Sequence, residues 1–176
     1  MKYKYKKPSS VFEEGFLFLF KMKANKNKFS NTINYKIDAK EVDYLYVKDS
    51  QILGSGKGLY TAIPIYKDEV ITLFKGEILS NADAKSRSMK GNDAYFINLL
   101  DGTIMDSMHV NCFAKYANDA LGFVKTKYKI NSKISLDEND NVCIVSDRDI
   151  KVGEEIFCSY GKPYWKKYKK KLILEK

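Results

Sequence analysis

The dipeptide Asp101-Gly102 divides two β-rich runs, Tyr95-Phe96-Ile97-Asn98-Leu99-Leu100 and Thr103-Ile104-Met105-Asp106. Asp-Gly between such runs signals a hairpin, because the tight turn that joins twisted strands needs positive φ at its centre. The same grammar recurs along the chain. Residues 134–136 and 142–145 flank Asp137-Glu138-Asn139-Asp140-Asn141, a second hairpin. Residues 63–74 read as strand, turn at 66–69 and strand. Residues 42–48, crowded with Tyr, Leu and Val, read as a strand. After a turn at Val152-Gly153, residues 156–160 read as a short buried strand. Helical signals are fewer: a polar connector over 80–93, a short segment over 110–118 with Phe113, Tyr116 and Ala117 on one face, and a last helix opened by Pro163. Many short strands with few helices and no βαβ alternation constrain the chain to a mainly β fold with short helices.

A chain of 176 residues is one domain by length and can bury a real core. With 44% apolar and 14% aromatic residues it reads as globular, not as a disordered tail. The longest apolar candidate, Phe16-Leu17-Phe18-Leu19-Phe20, is far shorter than the roughly 20 residues that cross a bilayer, and reads as a strand. The N-terminus lacks the apolar core and cleavage site of a secretion signal. Three cysteines without a CxxC pair, and a single histidine, argue against a disulfide scaffold or a zinc cluster and for a reducing, intracellular setting.

The net charge of +9 is unevenly spread. Residues 1–40 carry 10 Lys against three acids, and residues 162–176 carry seven Lys against one Glu, whereas residues 41–161 carry 14 Lys and Arg against 18 acids. An acidic body between basic ends leaves two readings open: solvated termini that maintain solubility, or arms that hold an anionic polymer such as DNA.

Ile52-Leu53-Gly54-Ser55-Gly56-Lys57-Gly58-Leu59-Tyr60-Thr61-Ala62 sits between strand-like stretches. Three glycines in five positions permit positive φ or close approach of backbone to a ligand. A phosphate-binding Walker loop would need Ser or Thr after Lys57, where Gly58 stands. A dinucleotide fingerprint starting at Gly54 would need a glycine at Leu59 and a following helix. By itself the stretch reads as a tight hairpin turn. A tyrosine at a strand end before glycine, Tyr160-Gly161, can hold one hydroxyl in a cleft, and Tyr164-Trp165 can close over a flat ligand. By itself this stretch also reads as a buried strand tyrosine.

Three stretches in order resemble the SET-domain protein lysine methyltransferases. Gly54 to Ala62, continuing through Lys67-Asp68-Glu69-Val70-Ile71 to Phe74-Lys75-Gly76-Glu77, resembles the family's GxG strand-turn. Asn111-Cys112-Phe113-Ala114-Lys115-Tyr116-Ala117-Asn118-Asp119-Ala120, preceded by Asp106, sits where the family has RFINHS. Arg148 to Ile156, ending in Tyr160-Gly161, resembles GEELxxDYG. The resemblance covers about residues 44–165. It implies small sheets with the second and third motifs crossing in a pseudoknot and a C-terminal helix. It divides the chain into an N-terminal basic extension (1–40), a SET-like catalytic domain (41–165) and a basic helix end (166–176).

The resemblance further implies S-adenosylmethionine as methyl donor and a lysine amine as acceptor. Gly56, Lys57 and Gly58, with Leu59, would offer backbone to the cofactor. Asn118 and the backbone of Asp119 would hold its two ends, and Trp165 would cover the adenine in place of the zinc-bound cysteine segment used elsewhere in the family. Tyr160 would be the catalytic tyrosine, also touching the cofactor, and Tyr95 would line the lysine channel. No metal is implied. A lysine of pKa about 10.4 costs roughly 4.6 kcal/mol to deprotonate at pH 7, a cost that an apolar channel and an adjacent cationic sulfonium lower. The departures are Asp119 for His, Ala120 for Ser, Ser159 for the aspartate before the final tyrosine, and Cys158 where the family often has an aromatic residue. Cys158 reads as a small buried residue, since no histidine is near it in sequence, and His109 as a loop residue. The acidic body suits a basic peptide such as a histone tail bound along a sheet edge, with DNA or nucleosome contact through the basic ends and a nuclear setting if the substrate is a histone. The alternatives are a non-histone protein substrate, or a catalytically silent SET-like module that binds nucleic acid or a protein.

Overall fold

The computed structural model describes residues 35–122 and 126–174, with side chains for residues 36–122 and 126–167. In chain order the elements are β1 (Tyr35–Lys36), α1 (Glu41–Tyr44), β2 (Leu45–Asp49), β3 (Lys57–Thr61), β4 (Glu69–Leu73), β5 (Glu77–Leu79), α2 (Asn81–Met89), β6 (Phe96–Asn98), β7 (Ile104–Asp106), a 3-10 turn (Ala114–Tyr116), β8 (Ser132–Leu136), β9 (Val142–Ser146), β10 (Glu155–Ile156) and α3 (Gly161–Leu174). They form three small sheets among the described residues, ordered β1-β4-β9-β8, β10-β3-β2 and β5-β7-β6. The mainly β expectation with short helices and a C-terminal helix is met. Residues 1–34, including the strand expected over 16–20 and most of the basic extension, lie outside the described residues.

Both sequence-read hairpins form. Phe96 pairs with Asp106 and Asn98 with Ile104 across a turn in which Gly102 has φ 88°. Ser132 pairs with Ser146 and Leu136 with Val142, and the Asp137 carboxylate accepts the Asn139 and Asn141 amides to close the loop. Helix α2 starts where Ser80 Oγ accepts the Asp83 amide at 3.1 Å, an N-cap. The glycine-rich stretch is indeed a hairpin turn between β2 and β3.

Several expectations need correction. The first strand read in 63–74 does not form, Ile65 making only an isolated bridge to Ile150, and the strand read over 156–160 is Glu155–Ile156 followed by two single bridges. Residues 42–44 belong to a helical turn, not to the strand, which begins at Leu45. The turn places Glu41 and Tyr44, three apart, against β4 together: Tyr44 donates its hydroxyl to the Ile71 carbonyl at 2.8 Å, and Glu41 accepts from Leu73 N–H, Thr72 Oγ1 and Lys75 Nζ. Val42, which strand propensity would bury, is 66% exposed. The segment over 110–118 narrows to the three-residue 3-10 turn, with Ala114 and Ala117 in the core and Phe113 and Tyr116 packed on it.

The main core gathers Leu45, Leu59, Ile65, Ile71, Ile144, Ile150, Ile156 and Cys158. Through it runs the chain crossing that positions the site. Strand β10 pairs antiparallel with β3, and the two residues after it bridge in parallel to separate segments, Phe157 to Asn118 and Cys158 to Ser132. Residues 155–158 are therefore held by β3 and by the 118 and 131–132 segments. The buried Asn131 fastens this crossing: its Nδ2 donates to the Glu155 carbonyl at 2.8 Å, and its Oδ1 accepts the Phe157 amide at 2.8 Å.

Candidate active site

Tyr160 emerges from the crossing just after the buried run 155–158 and just before α3. It is tied at both ends to the neighbouring segment 117–119. Its amide donates to Asp119 Oδ2 at 2.8 Å, and its hydroxyl donates to the Ala117 carbonyl at 3.0 Å. Burial first, and then neighbouring acidic groups including Asp119, push the phenol well above its ordinary value, so the hydroxyl stays protonated across the physiological range. Tyr160 is thus a fixed neutral donor and dipole, not a base.

Three rings meet there. Tyr160 lies edge-on to Tyr164 at 4.9 Å and stacks on Trp165 at 5.9 Å with 14° between planes. Trp165 donates its indole N–H to Asp119 Oδ2 at 2.7 Å. The indole also lies on the backbone of Gly122, where an added Cβ would come within 2.6 Å of the ring. Tyr95, 39% exposed at the start of the β6–β7 hairpin, is close enough that its phenol adds to the upward shift of Tyr160.

Asn118, next to Asp119, leads to the glycine turn, whose organiser is Glu155. This fully buried carboxylate accepts from Ser50 Oγ (2.6 Å), Gln51 N–H (2.7 Å), the Tyr60 hydroxyl (2.8 Å) and, more weakly, Asn118 Nδ2 (3.4 Å). It leaves no room beside residue 58, where a Cβ would sit 2.2 Å from Glu155 Oε1. Burial, with Glu155 beside it, raises the Tyr60 phenol. Asn118 crosses to the turn by donating to the Lys57 carbonyl at 2.9 Å, while its own carbonyl accepts the Cys158 amide at 3.0 Å.

The structure therefore brings Tyr160, Trp165 and Asp119 into direct contact, links Asn118 to Lys57 and to the carboxylate beside Gly58, and places Tyr95 near Tyr160. The Lys57 side chain points to solvent, paired with Asp49, and its carbonyl accepts from Asn118. The Leu59 side chain is in the core and its strand is paired on both sides, to Val47 and Ile156. Gly54 and Gly56 have φ of 81° and 68° and open space where a Cβ would stand. With nothing against Gly54 and Gly56, a ligand can approach the main chain of the turn closely. Cys158 is fully buried, with its thiol pushed up by burial, as expected of a packing residue. Among the described residues no group of three or more His, Cys, Asp or Glu side chains is placed to hold a metal ion, and no helix is long and apolar enough to cross a membrane.

Sequence reasoning missed three parts of this arrangement. In the pair Glu154-Glu155, the first is partly exposed and bound to Arg148 while the second is the buried organiser, and pattern does not separate them. Asn131 sits beyond a lysine-rich loop with no motif around it. The Asp119 carboxylate carries no sequence signal, because the family resemblance points only to the backbone at that position.

The SET domain family profile matches residues 56–161. Among solved structures, 249 chains match. One is described as ctPRC2 in an autoinhibited conformation bound to S-adenosylmethionine; it is 26% identical with a TM-score of 0.56, over 75% of this chain. The chain spans only 17% of the length of that ctPRC2 chain. No curated protein matches. The profile covers well over half of the sequence, from the glycine turn through Tyr160, so the chain belongs to the SET-domain family.

Proposed function

We propose that this chain is a protein lysine methyltransferase that takes its methyl group from S-adenosylmethionine and delivers it to a lysine amine on a basic protein segment, with a histone tail as the first substrate to test. The observation that carries the reading is Tyr160, a protonated phenol fixed at both ends against residues 117–119, with Trp165 stacked on it and the adjoining Asn118 bonded to the glycine turn.

When bound, S-adenosylmethionine supplies an electrophilic methyl carbon on a cationic sulfur. Gly56, Lys57 and Gly58 would meet it through backbone, Asn118 through its amide and Asp119 through its main chain, and Trp165 would cover its flat base, whereas Leu59, paired on both sides within the sheet, would only back the turn. The neutral Tyr160 hydroxyl and the Ala117 carbonyl it is bonded to supply dipoles that orient an incoming amine. Tyr95, with Tyr160 and Tyr164, offers apolar ring surface that excludes water and disfavours the ammonium form of the substrate lysine. A phenol raised by burial does not compete for the amine's proton.

Two departures from the family pattern fit activity. Asp119 replaces a His, and its side chain is fully engaged in holding Tyr160 and Trp165. Ala120 packs with Ile52 and Phe157. The lysines of α3 and of the N-terminal stretch supply charge for nucleosomal DNA, a contact that should weaken steeply with salt.

The test is transfer of labelled methyl from S-adenosylmethionine to core histones and nucleosomes, with Tyr160→Phe alongside. Label on one histone, reduced by about two orders of magnitude or more in the variant, is the expected outcome. Donor binding without histone labelling would redirect the search to non-histone proteins. Absence of donor binding would leave a silent binding module as the better reading.

A further inference from the structure

We infer that the Asp119 carboxylate is a positioning residue for both rings of the site, setting the register of Tyr160 and fastening helix α3 over the site through Trp165. The inference rests on the methyltransferase reading for its catalytic consequence, but its structural half stands without it.

The geometry is that of one shared acceptor. Asp119 Oδ2 takes the Tyr160 amide at 2.8 Å and the Trp165 indole N–H at 2.7 Å, and Oδ1 takes the Leu121 amide at 2.7 Å. Asp119 is 7% exposed. Three donors converge on a carboxylate sheltered from water, the setting in which charge-assisted hydrogen bonds are strong. The contact crosses 46 positions of sequence to Trp165 and 41 to Tyr160. It therefore joins the segment that carries Asn118 to the C-terminal helix in a single step. Gly122 completes the seat, since any side chain there would strike the indole.

The chemistry is specific to a carboxylate. An amide at 119 has one acceptor oxygen and an NH2 group. If the oxygen faces Tyr160 and Trp165, the NH2 faces the Leu121 donor; if it turns to Leu121, the NH2 opposes two donors. Asp119→Asn thus loosens the lid while preserving size. Gly122→Ala loosens it by a separate route, because it lifts the indole and leaves the carboxylate intact.

Trp165 is the only tryptophan in the sequence, so its emission reports on this contact alone. The experiment uses the full chain. Acrylamide quenching of Trp165 is measured without ligand in the parent protein, Asp119→Asn and Gly122→Ala. S-adenosylmethionine affinity is then measured by calorimetry, and kcat and KM for the donor are measured for these proteins and Trp165→Phe. Quenching should rise by about threefold or more in both loosened variants, as a packed indole opens to solvent. Trp165→Phe should raise the donor KM by about tenfold, more than it lowers kcat, while Asp119→Asn should move both because the Tyr160 amide also loses its charged acceptor. Unchanged quenching in Asp119→Asn overturns the latch whatever the activity does. A fall in melting temperature with the donor KM unmoved overturns the positioning role, leaving a merely structural one. If the parent protein binds no S-adenosylmethionine, the methyltransferase reading fails, and the quenching comparison still decides the latch.

Discussion

Replacing Gly58 by alanine should destabilise the fold by about 3 to 4 kcal/mol, although Gly58 has ordinary strand φ and alanine suits its backbone. The cause is Glu155. A methyl group at 58 would lie 2.2 Å from Glu155 Oε1, 2.8 Å from its Cδ and 3.2 Å from Ser50 Cα. To restore contact distance the carboxylate must retreat by about 1 Å, which is enough to break hydrogen bonds of ordinary length. The far end of a glutamate would normally move at little cost, but this one is fully buried and pinned by Ser50, Gln51 and Tyr60 at 2.6 to 2.8 Å. Losing one charged hydrogen bond costs about 1.5 to 3 kcal/mol, and overpacking adds roughly 1 to 3 kcal/mol. For a domain of this size that corresponds to a fall in melting temperature of roughly 6 to 16 °C. Differential scanning calorimetry of Gly58→Ala is the assay, with Glu155→Ala and the double variant completing a cycle. The double variant should be less destabilised than the sum, because the methyl group then occupies space that Glu155 vacates. A melting point within about 2 °C of the parent, or strict additivity in the cycle, would refute the reasoning and leave backbone contact with a ligand as the sole reason for glycine at 58.

Asn131→Ala removes the donor to the Glu155 carbonyl and the acceptor of the Phe157 amide; we expect a loss of about 2 to 4 kcal/mol in urea titration, with faster hydrogen exchange at Phe157. Glu41 is raised by its burial, but hydrogen bonds from Lys75, Thr72 and Leu73 more than offset this and hold its carboxyl below the usual range. Its stabilisation is therefore full above about pH 4.3, the unfolded value, and is lost as pH falls through the folded value. Glu41→Gln should flatten the acid limb of the stability curve below that point while lowering stability at neutral pH. All three cysteines are buried, and the Cys143 thiol is pushed up to about 12 by burial. Iodoacetamide at pH 8 should leave the native protein unlabelled and label all three after denaturation; rapid native labelling of Cys158 would contradict its place in the crossing.

The strands and their turns were legible because each carries its own local signal. Asp101-Gly102 and the Asp137 loop fix registers by backbone conformation and short-range capping, which depend on neighbours in sequence. The helical turn at Glu41–Tyr44 was not, because the Tyr and Val that suggest a strand are overridden by contacts with β4, about 30 residues away. The site was half legible. Tyr160, Trp165 and Asn118 stand in motifs whose order identifies them. The groups that hold them, Glu155, Asn131 and the Asp119 carboxylate, act on partners 24 to 105 positions distant, and no periodicity encodes such pairings.

The chain crossing also has a consequence in time. Residues 155–158 reach β3 and the 118 and 131–132 segments only after nearly the whole domain has been made, and every bond they form is long-range. The cost of closing those loops is met before their contacts repay it, which places this protein among slow folders. Tyr160 follows directly on that late segment, so no partly folded form carries a working site. During synthesis the glycine turn waits with Ser50 and Gln51 lacking their Glu155 acceptor, while the Tyr60 hydroxyl has only the Asp49 carbonyl of its own hairpin. Acquisition of the fold and acquisition of chemistry are thus one event, set by the last part of the domain to thread into place.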